Sequence, residues 1–218
     1  MVRYGKVVDL RKLLAERFPH VSAPAGTRLK TGLSFLDQAT GGGLPKSAIT
    51  ELISPQMSAG SASLIHALLQ SAQRNRYFLA LIDGRDSFDP QPLGNAYLSH
   101  LLWIRCTKAL ESMNAADLLL RDGNFPLVIV DLVLNLPDEL RKIAQTSWYR
   151  LQRLVELAPT ACLILTRQGM VSSAQLKIVL ENSWDLETFQ KETALSAVRI
   201  RVQRSHLHRQ ETQIAGAS

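Results

Sequence analysis

Cysteine is scarce, with two residues in a chain of 218. Cys106 and Cys162 both fall inside apolar runs. That argues against a disulfide framework or a thiolate metal site, and both read as small core hydrophobes. Aromatic residues make up only 6%. Trp103 lies within a strand-like run and Trp148 on an apolar helical stripe, so both belong to a core. Trp184, in a less regular stretch, is the tryptophan freest to stack on a base. No apolar run reaches membrane-spanning length, and no membrane contact is expected. Met1 to Lys6 lead into a charged amphipathic segment, so no secretory signal is visible and the expected location is cytoplasmic. What is present is a 46% hydrophobic composition, which suits a globular fold. A net charge of +6 and a pI near 9.6 suit an acidic partner such as nucleic acid without requiring one.

The pattern along the chain divides it into three regions. Residues 1–26 hold a helix from Asp9 to Phe18, with Leu10, Leu13, Leu14 and Phe18 on one face, then a Ser/Ala/Pro/Gly linker. That apolar face must pack on the domain's own flank or on another protein, a second copy included. Residues 27–204 form the core, and 205–218 a polar tail. In the core, Leu33, Leu36 and Ala39 suggest a short helix stopped by Gly41–Gly43. Strands are expected at 48–53, 77–83, 101–106, 127–131 and 161–166. Helices marked by Leu110, Met113 and Leu118, and by Trp148, Leu151, Leu154, Val155 and Ala158, fall between them. Continuous apolar strands alternating with helices predict an α/β fold with a mostly parallel sheet covered on both faces. Residues 198–202 alternate with period two, the pattern of an antiparallel edge strand with Arg199 and Arg201 facing water.

The segment from Ser54 to Ser63 stands between the strand ending at Ile53 and a helical pattern opening at Leu64. Strand, small-residue loop and helix is the setting of a phosphate-binding loop of the form G-x-x-x-x-G-K-[ST]. Ser54 takes the place of the first glycine, and Pro55 follows it. Gly60 is present after one extra residue, Ser61 replaces the lysine and Ala62 the magnesium-binding hydroxyl. Ser58, Ser61 and Ser63 serve turn and cap chemistry better than nucleophilic chemistry, with Ser63 as the N-cap. Asp131, after four apolar residues, fits the magnesium-holding acid of a nucleotide site, and Asp83 ends the strand that follows the loop helix.

Thr31-Gly32-Leu33-Ser34-Phe35-Leu36-Asp37, Gly41-Gly42-Gly43-Leu44-Pro45 and Ile49-Thr50-Glu51-Leu52 together resemble the opening of the RecA-family core. Asp83 to Pro90 resembles that family's next motif, and Leu127 to Asp131 its magnesium strand. The likeness covers residues 27–204 and implies the RecA-like nucleotide-binding fold. It also implies a water-activating glutamate where this chain has Arg85, which cannot accept a proton. A phosphate-sensing glutamine falls where this chain has Arg167, with Gln168 one step on. Loss of lysine, hydroxyl and acid together predicts a chain without ATPase turnover. ATP and magnesium binding is not expected, although Arg85 or Arg167 could neutralise a phosphate.

A closer resemblance is to the ImuA-like proteins of bacterial mutagenesis cassettes, through the same opening, the damaged loop and Ser173-Ala174-Gln175-Leu176-Lys177-Ile178. The resemblance implies a non-catalytic accessory in DNA repair and SOS translesion synthesis. Its partners would be a Y-family polymerase homologue, a replicative-type polymerase and RecA. Alternatives are a nucleotide- or single-stranded-DNA-binding recombination modulator and a SulA-like division inhibitor. Arg199, Arg201, Arg204 and Arg209 would contact DNA or a partner, or would simply solvate an edge. Arg141, Lys142, Arg150 and Arg153 read as a solvated helix face. His206 and His208 lack further ligands, so no metal is expected.

Overall fold

A computed structural model of the protein describes residues 28–56, 61–91, 94–181 and 199–205. The predicted N-terminal helix with Leu10, Leu13, Leu14 and Phe18, together with Gly60, Trp184, His206, His208 and Arg209, lies outside the described residues.

The elements in order are β1 (Arg28–Leu29), α1 (Ser34–Ala39), β2 (Leu44–Pro45), β3 (Ala48–Ile53), α2 (Ser61–Arg74), β4 (Leu79–Asp83) and α3 (Asn95–Leu98). They continue with β5 (Leu101–Arg105), α4 (Ala109–Asp122), β6 (Leu127–Asp131), α5 (Pro137–Arg141), α6 (Gln145–Glu156), β7 (Ala161–Thr166), β8 (Leu176–Leu180) and β9 (Ile200–Ser205). Seven strands form one sheet in the order β5-β4-β6-β7-β3-β8-β9. All neighbours run parallel except β9, which pairs antiparallel with β8. The fold is α/β with a mostly parallel sheet and an antiparallel edge, as the alternation of apolar runs and helices implied.

Side chains alternate between the sheet's two faces. Leu52, Leu79, Leu81, Leu127, Ile129, Leu163 and Leu165 pack under α2. Ile49, Ala80, Ile82, Val128, Val130, Cys162 and Ile164 pack under α4, α5 and α6. Burial on both faces is why β3, β4, β6 and β7 read as unbroken apolar runs. Both thiols are free and buried, and burial pushes Cys162 up to about 12, as befits core hydrophobes. Trp148 is buried as expected, whereas Trp103 is half-buried on the edge strand β5.

Three expectations change. The α4 face toward the sheet is Ala109, Ser112, Met113, Ala116, Leu119 and Leu120, while Leu110 is 64% exposed. Its position next to Ala109 at the helix start turns it outward. Ser63 lies inside α2 rather than capping it. The segment from Ser173 to Ile178 contains most of a strand that the apolar pattern alone did not reveal.

The opening motif is a local structural device. The Asp37 carboxylate accepts hydrogen bonds from Thr31 N, Thr31 Oγ1 and Gly32 N at 2.9, 2.7 and 3.2 Å. Leu36 is fully buried beside it. Gly32 has φ +74°, and a Cβ there would lie 2.8 Å from Ser71 Oγ on α2. A second device joins three strands. Glu51, fully buried on β3, accepts from Thr166 Oγ1, Met170 N and Val171 N at 3.1, 2.7 and 3.1 Å. Its other oxygen rests 2.6 Å from Lys177 Nζ on β8. Removing one member of a buried ion pair leaves the other charge unpaired and costs about 3–5 kcal/mol. Lys177→Met is therefore expected to lower unfolding free energy by about that amount in urea titrations; an unchanged midpoint would contradict the pair's structural role.

Candidate functional site

The parallel order brings the carboxyl ends of β4, β6, β7 and β3 side by side, and these ends carry most of the sequence-derived site residues. Asp83 on β4 lies directly opposite Asp131 on β6. Ile53 lies opposite Thr166, so Ser54 and Arg167 leave adjacent strand ends. Ser54 N donates to Thr166 O at 2.7 Å, and Ser54 is fully buried. Pro55 follows as an exposed residue, and Ser61 and Ala62 open α2 on the far side of the loop.

Asp83 is buried and already saturated. It accepts from Ser87 N and Phe88 N at 2.8 Å each, and from Arg85 N at 3.3 Å and Trp103 Nε1 at 3.4 Å. Its carboxylate folds the loop after β4 back on the strand end. Phe88 packs edge-on against Trp103, and the Arg105 guanidinium lies 5.1 Å from the Trp103 ring centre. Arg105 in turn holds Asp86 through two bonds of 2.5 and 2.7 Å. Gly84 completes the turn. A Cβ on it would stand 2.3 Å from Asn135 Oδ1 and 2.6 Å from Asp131 O, so no larger residue fits unchanged.

Arg85 occupies the position where the family resemblance places a catalytic glutamate. Its Nη1 donates to Thr107 O at 3.0 Å and lies 3.6 Å from Glu139 at the start of α5. Glu139 also accepts from Asn135 Nδ2 at 3.2 Å. Arg85 is thus held over the β5 and α5 side. Arg167 is exposed at the end of β7, and its side chain makes no hydrogen bond or ion pair among the described residues. Of the two arginines considered for phosphate neutralisation, only Arg167 has an uncommitted charge.

Asp131 is the other carboxylate at these ends. Burial, and then the nearby Asp83 charge, push its pKa up to about 6, opposed by the hydrogen bond from Val133 N. The basic edge lies apart from this cluster. Arg201 on β9 stands opposite Val179, with β8 between it and β3. Arg199 and Arg201 are exposed as expected, but Arg201 pairs with Glu181 at 2.5 Å. Arg204 lies on β9 opposite Lys177. Arg150 pairs with Asp117 and Arg141 with Asp138, which fits a solvated helix face. Among the described residues no group of His, Cys, Asp and Glu could hold a metal ion, and no helix is long and apolar enough to cross a membrane.

Glu51, Lys177, Asn135 and Glu139 went unrecognised in the sequence as positioning residues. A charge inside an otherwise apolar strand was the available signal for Glu51. Nothing local signalled the others, whose partners are distant in the chain.

The raised Asp131 pKa carries a definite sign. The folded state holds the proton over the window from the ordinary value of 3.8 to about 6, so this group's contribution to stability falls as pH rises through that window. Asp131→Asn, which keeps the acceptor for Val133 N, is expected to be more stable than the native chain at pH 7.5. The gain should be at most about 3 kcal/mol and should vanish near pH 3.5. Denaturation at the two pH values checks this; an equal effect at both would rule it out.

A family model describing the RecA N-terminal domain matches residues 20–144, more than half of the chain. Protein RecA of Clavibacter michiganensis subsp. michiganensis is 33% identical over 135 residues, covering 60% of this chain and 35% of that protein. Protein RecA of Chlamydia trachomatis serovar L2 is 32% identical over 132 residues, covering 59% and 35%. Protein RecA of Chlorobaculum tepidum is 31% identical over 109 residues, covering 48% and 31%. The chain spans about a third of the length of these curated relatives. With the matched segment running from before β1 through the carboxyl ends of β3, β4 and β6, the chain belongs to the RecA N-terminal domain family.

Proposed function

We propose that this chain is a non-catalytic RecA-like accessory protein of DNA repair, working by binding rather than turnover. The ImuA-like role in translesion synthesis is the specific form that its sequence supports best. In that role it engages a Y-family polymerase homologue, a replicative-type polymerase or RecA itself in the cytoplasm. DNA contact is direct, through the β9 arginines, or passes through those partners.

One observation carries the reading. The residue at the water-activating position is Arg85, and its guanidinium is tied to Thr107 O and Glu139. A cation there cannot take a proton from water, and its two partners fix it away from that task. Ser61 lacks the charge of the lysine, and Ala62 lacks the hydroxyl, that phosphoryl transfer uses at those positions.

A thermal-shift titration with ATP and with ADP, each with magnesium, tests the reading. A nucleotide bound at 100 times its dissociation constant would add about 2.7 kcal/mol. The expected result is no saturable shift at millimolar nucleotide and no phosphate release. A saturable shift that Arg167→Ala abolishes would replace this reading with a nucleotide-binding one.

A further inference from the structure

The β1–β2 hairpin and the turn from α2 into β4 lie at the amino ends of the strands, away from Arg167 and the loop after Ser54. They carry Arg28, Lys30, Lys46, Arg74 and Arg76. None of these enters an ion pair among the described residues, whereas Arg85, Arg105, Arg121, Arg150 and Arg201 all do. Lys30, Arg74 and Arg76 are exposed, and Arg28 and Lys46 half-buried.

The fold joins them into one surface. Arg28 pairs with Pro45, which sets it beside Lys46. Arg28 Nη1 donates to Thr40 O at 2.5 Å, so its charge is fixed in place. Lys30 stands two residues before Gly32, and a Cβ on Gly32 would lie 3.5 Å from Arg74 Nη2. Arg76 follows in the turn out of α2. Asp37 is the one acid within residues 28–48 and 71–78, and Thr31 and Gly32 occupy its oxygens. Asp122, which ends α4 on the other face of the sheet, is held by Asn124.

Two observations select the partner. The exposed large apolar residues are Leu110, Leu134, Leu136, Tyr149, Leu157 and Val202, none of them on this surface. A protein interface is anchored by apolar and aromatic groups, which are missing here. Phe35 and Tyr77, the aromatic residues alongside, pack against the core, so no ring platform is offered to a base. What remains is charge without an acidic neighbour to spend it on, and that suits a phosphate backbone. Duplex DNA is the form that charge alone retains best, because its phosphates are the more densely spaced.

We propose that the β1–β2 hairpin and the end of α2 bind duplex DNA through its phosphates, without sequence preference, with Lys30, Arg74 and Arg76 as the principal contacts. Taking DNA as the polyanion rests on the DNA-repair role proposed above, and direct DNA contact then falls here rather than on the β9 arginines. Bound DNA would leave the carboxyl-end site uncovered.

Fluorescence anisotropy of the full chain with a labelled duplex of about 20 base pairs, titrated from about 50 to 200 mM salt, tests this. Three to five phosphate contacts at about −0.9 each predict a slope of log K on log salt between about −3 and −4.5. K30Q/R74Q/R76Q is expected to weaken binding at least tenfold at about 50 mM salt and to make the slope shallower by about 2.7. Its melting temperature should not change, since all three side chains are exposed. R199Q/R201Q should leave the slope as it is, and a scrambled duplex should bind within about twofold. Three results would overturn the proposal: no binding at about 50 mM salt, a slope that K30Q/R74Q/R76Q leaves unchanged, or loss of binding in R199Q/R201Q instead. The first would leave the accessory role acting through its partners, and the last would return DNA to β9. The nucleotide titration judges the non-catalytic reading separately.

Discussion

The carboxylate of Glu51 fixes the centre of this molecule. It sits on β3 in the middle of the sheet with no exposure to water. A charge there is tolerated only when its lone pairs are filled and an opposite charge is close. Thr166 Oγ1 and the Met170 and Val171 amides fill one oxygen, and Lys177 Nζ faces the other at 2.6 Å. Those donors belong to β7, the turn after it and β8. One side chain therefore sets the path of the β7–β8 connection and the register of β8 on β3. The strand ends from which Ser54 and Arg167 emerge follow from that arrangement.

Asp83 has a similar role at the end of β4. Its oxygens collect the amides of Arg85, Ser87 and Phe88, so the loop after β4 is wound around a charge that never faces an open site. Gly84 allows Asn135 and the Asp131 carbonyl to close against that loop. Arg85, aimed outward by this winding, finds Thr107 O and Glu139. Carboxylates placed where a nucleotide enzyme would use them make structural contacts here, and among the described residues Arg167 is the cation at these strand ends whose side chain has no partner.

The sequence made the central strands plain because burial on both faces removes alternation, and β3, β4, β6 and β7 appear as apolar runs. β8 was harder to see. Leu176, Ile178 and Leu180 alternate with Lys177 and Val179, and a lysine in that position looks like a solvent-facing residue. Only the distant Glu51 shows that its ammonium is taken inward. Ser61, Ala62 and Arg85, at the positions where the family resemblance expects a lysine, a hydroxyl and a glutamate, were readable as residue identities. The direction of Arg85 was not, since it depends on a carbonyl and a carboxylate from two other elements. The opening motif was legible because Asp37, Thr31 and Gly32 settle their contacts within a few residues.

The structural devices are also separate from the positions that phosphate chemistry would use. Asp37 holds the opening turn, Glu51 joins three strands, and Asp83 holds the loop after β4. None of these contacts requires a lysine, a hydroxyl or an acid at positions 61, 62 and 85. Changing those three leaves every one of the stabilising networks intact, because the networks and the phosphate chemistry use different atoms. Arginine at 85 has an acidic neighbour in Glu139, which favours a cation there and would repel an anion. Fold alone does not decide activity. A glutamate at 85 would set two carboxylates against each other beside Glu139. The two positions are therefore coupled, and the local electrostatics of this chain favour the arginine.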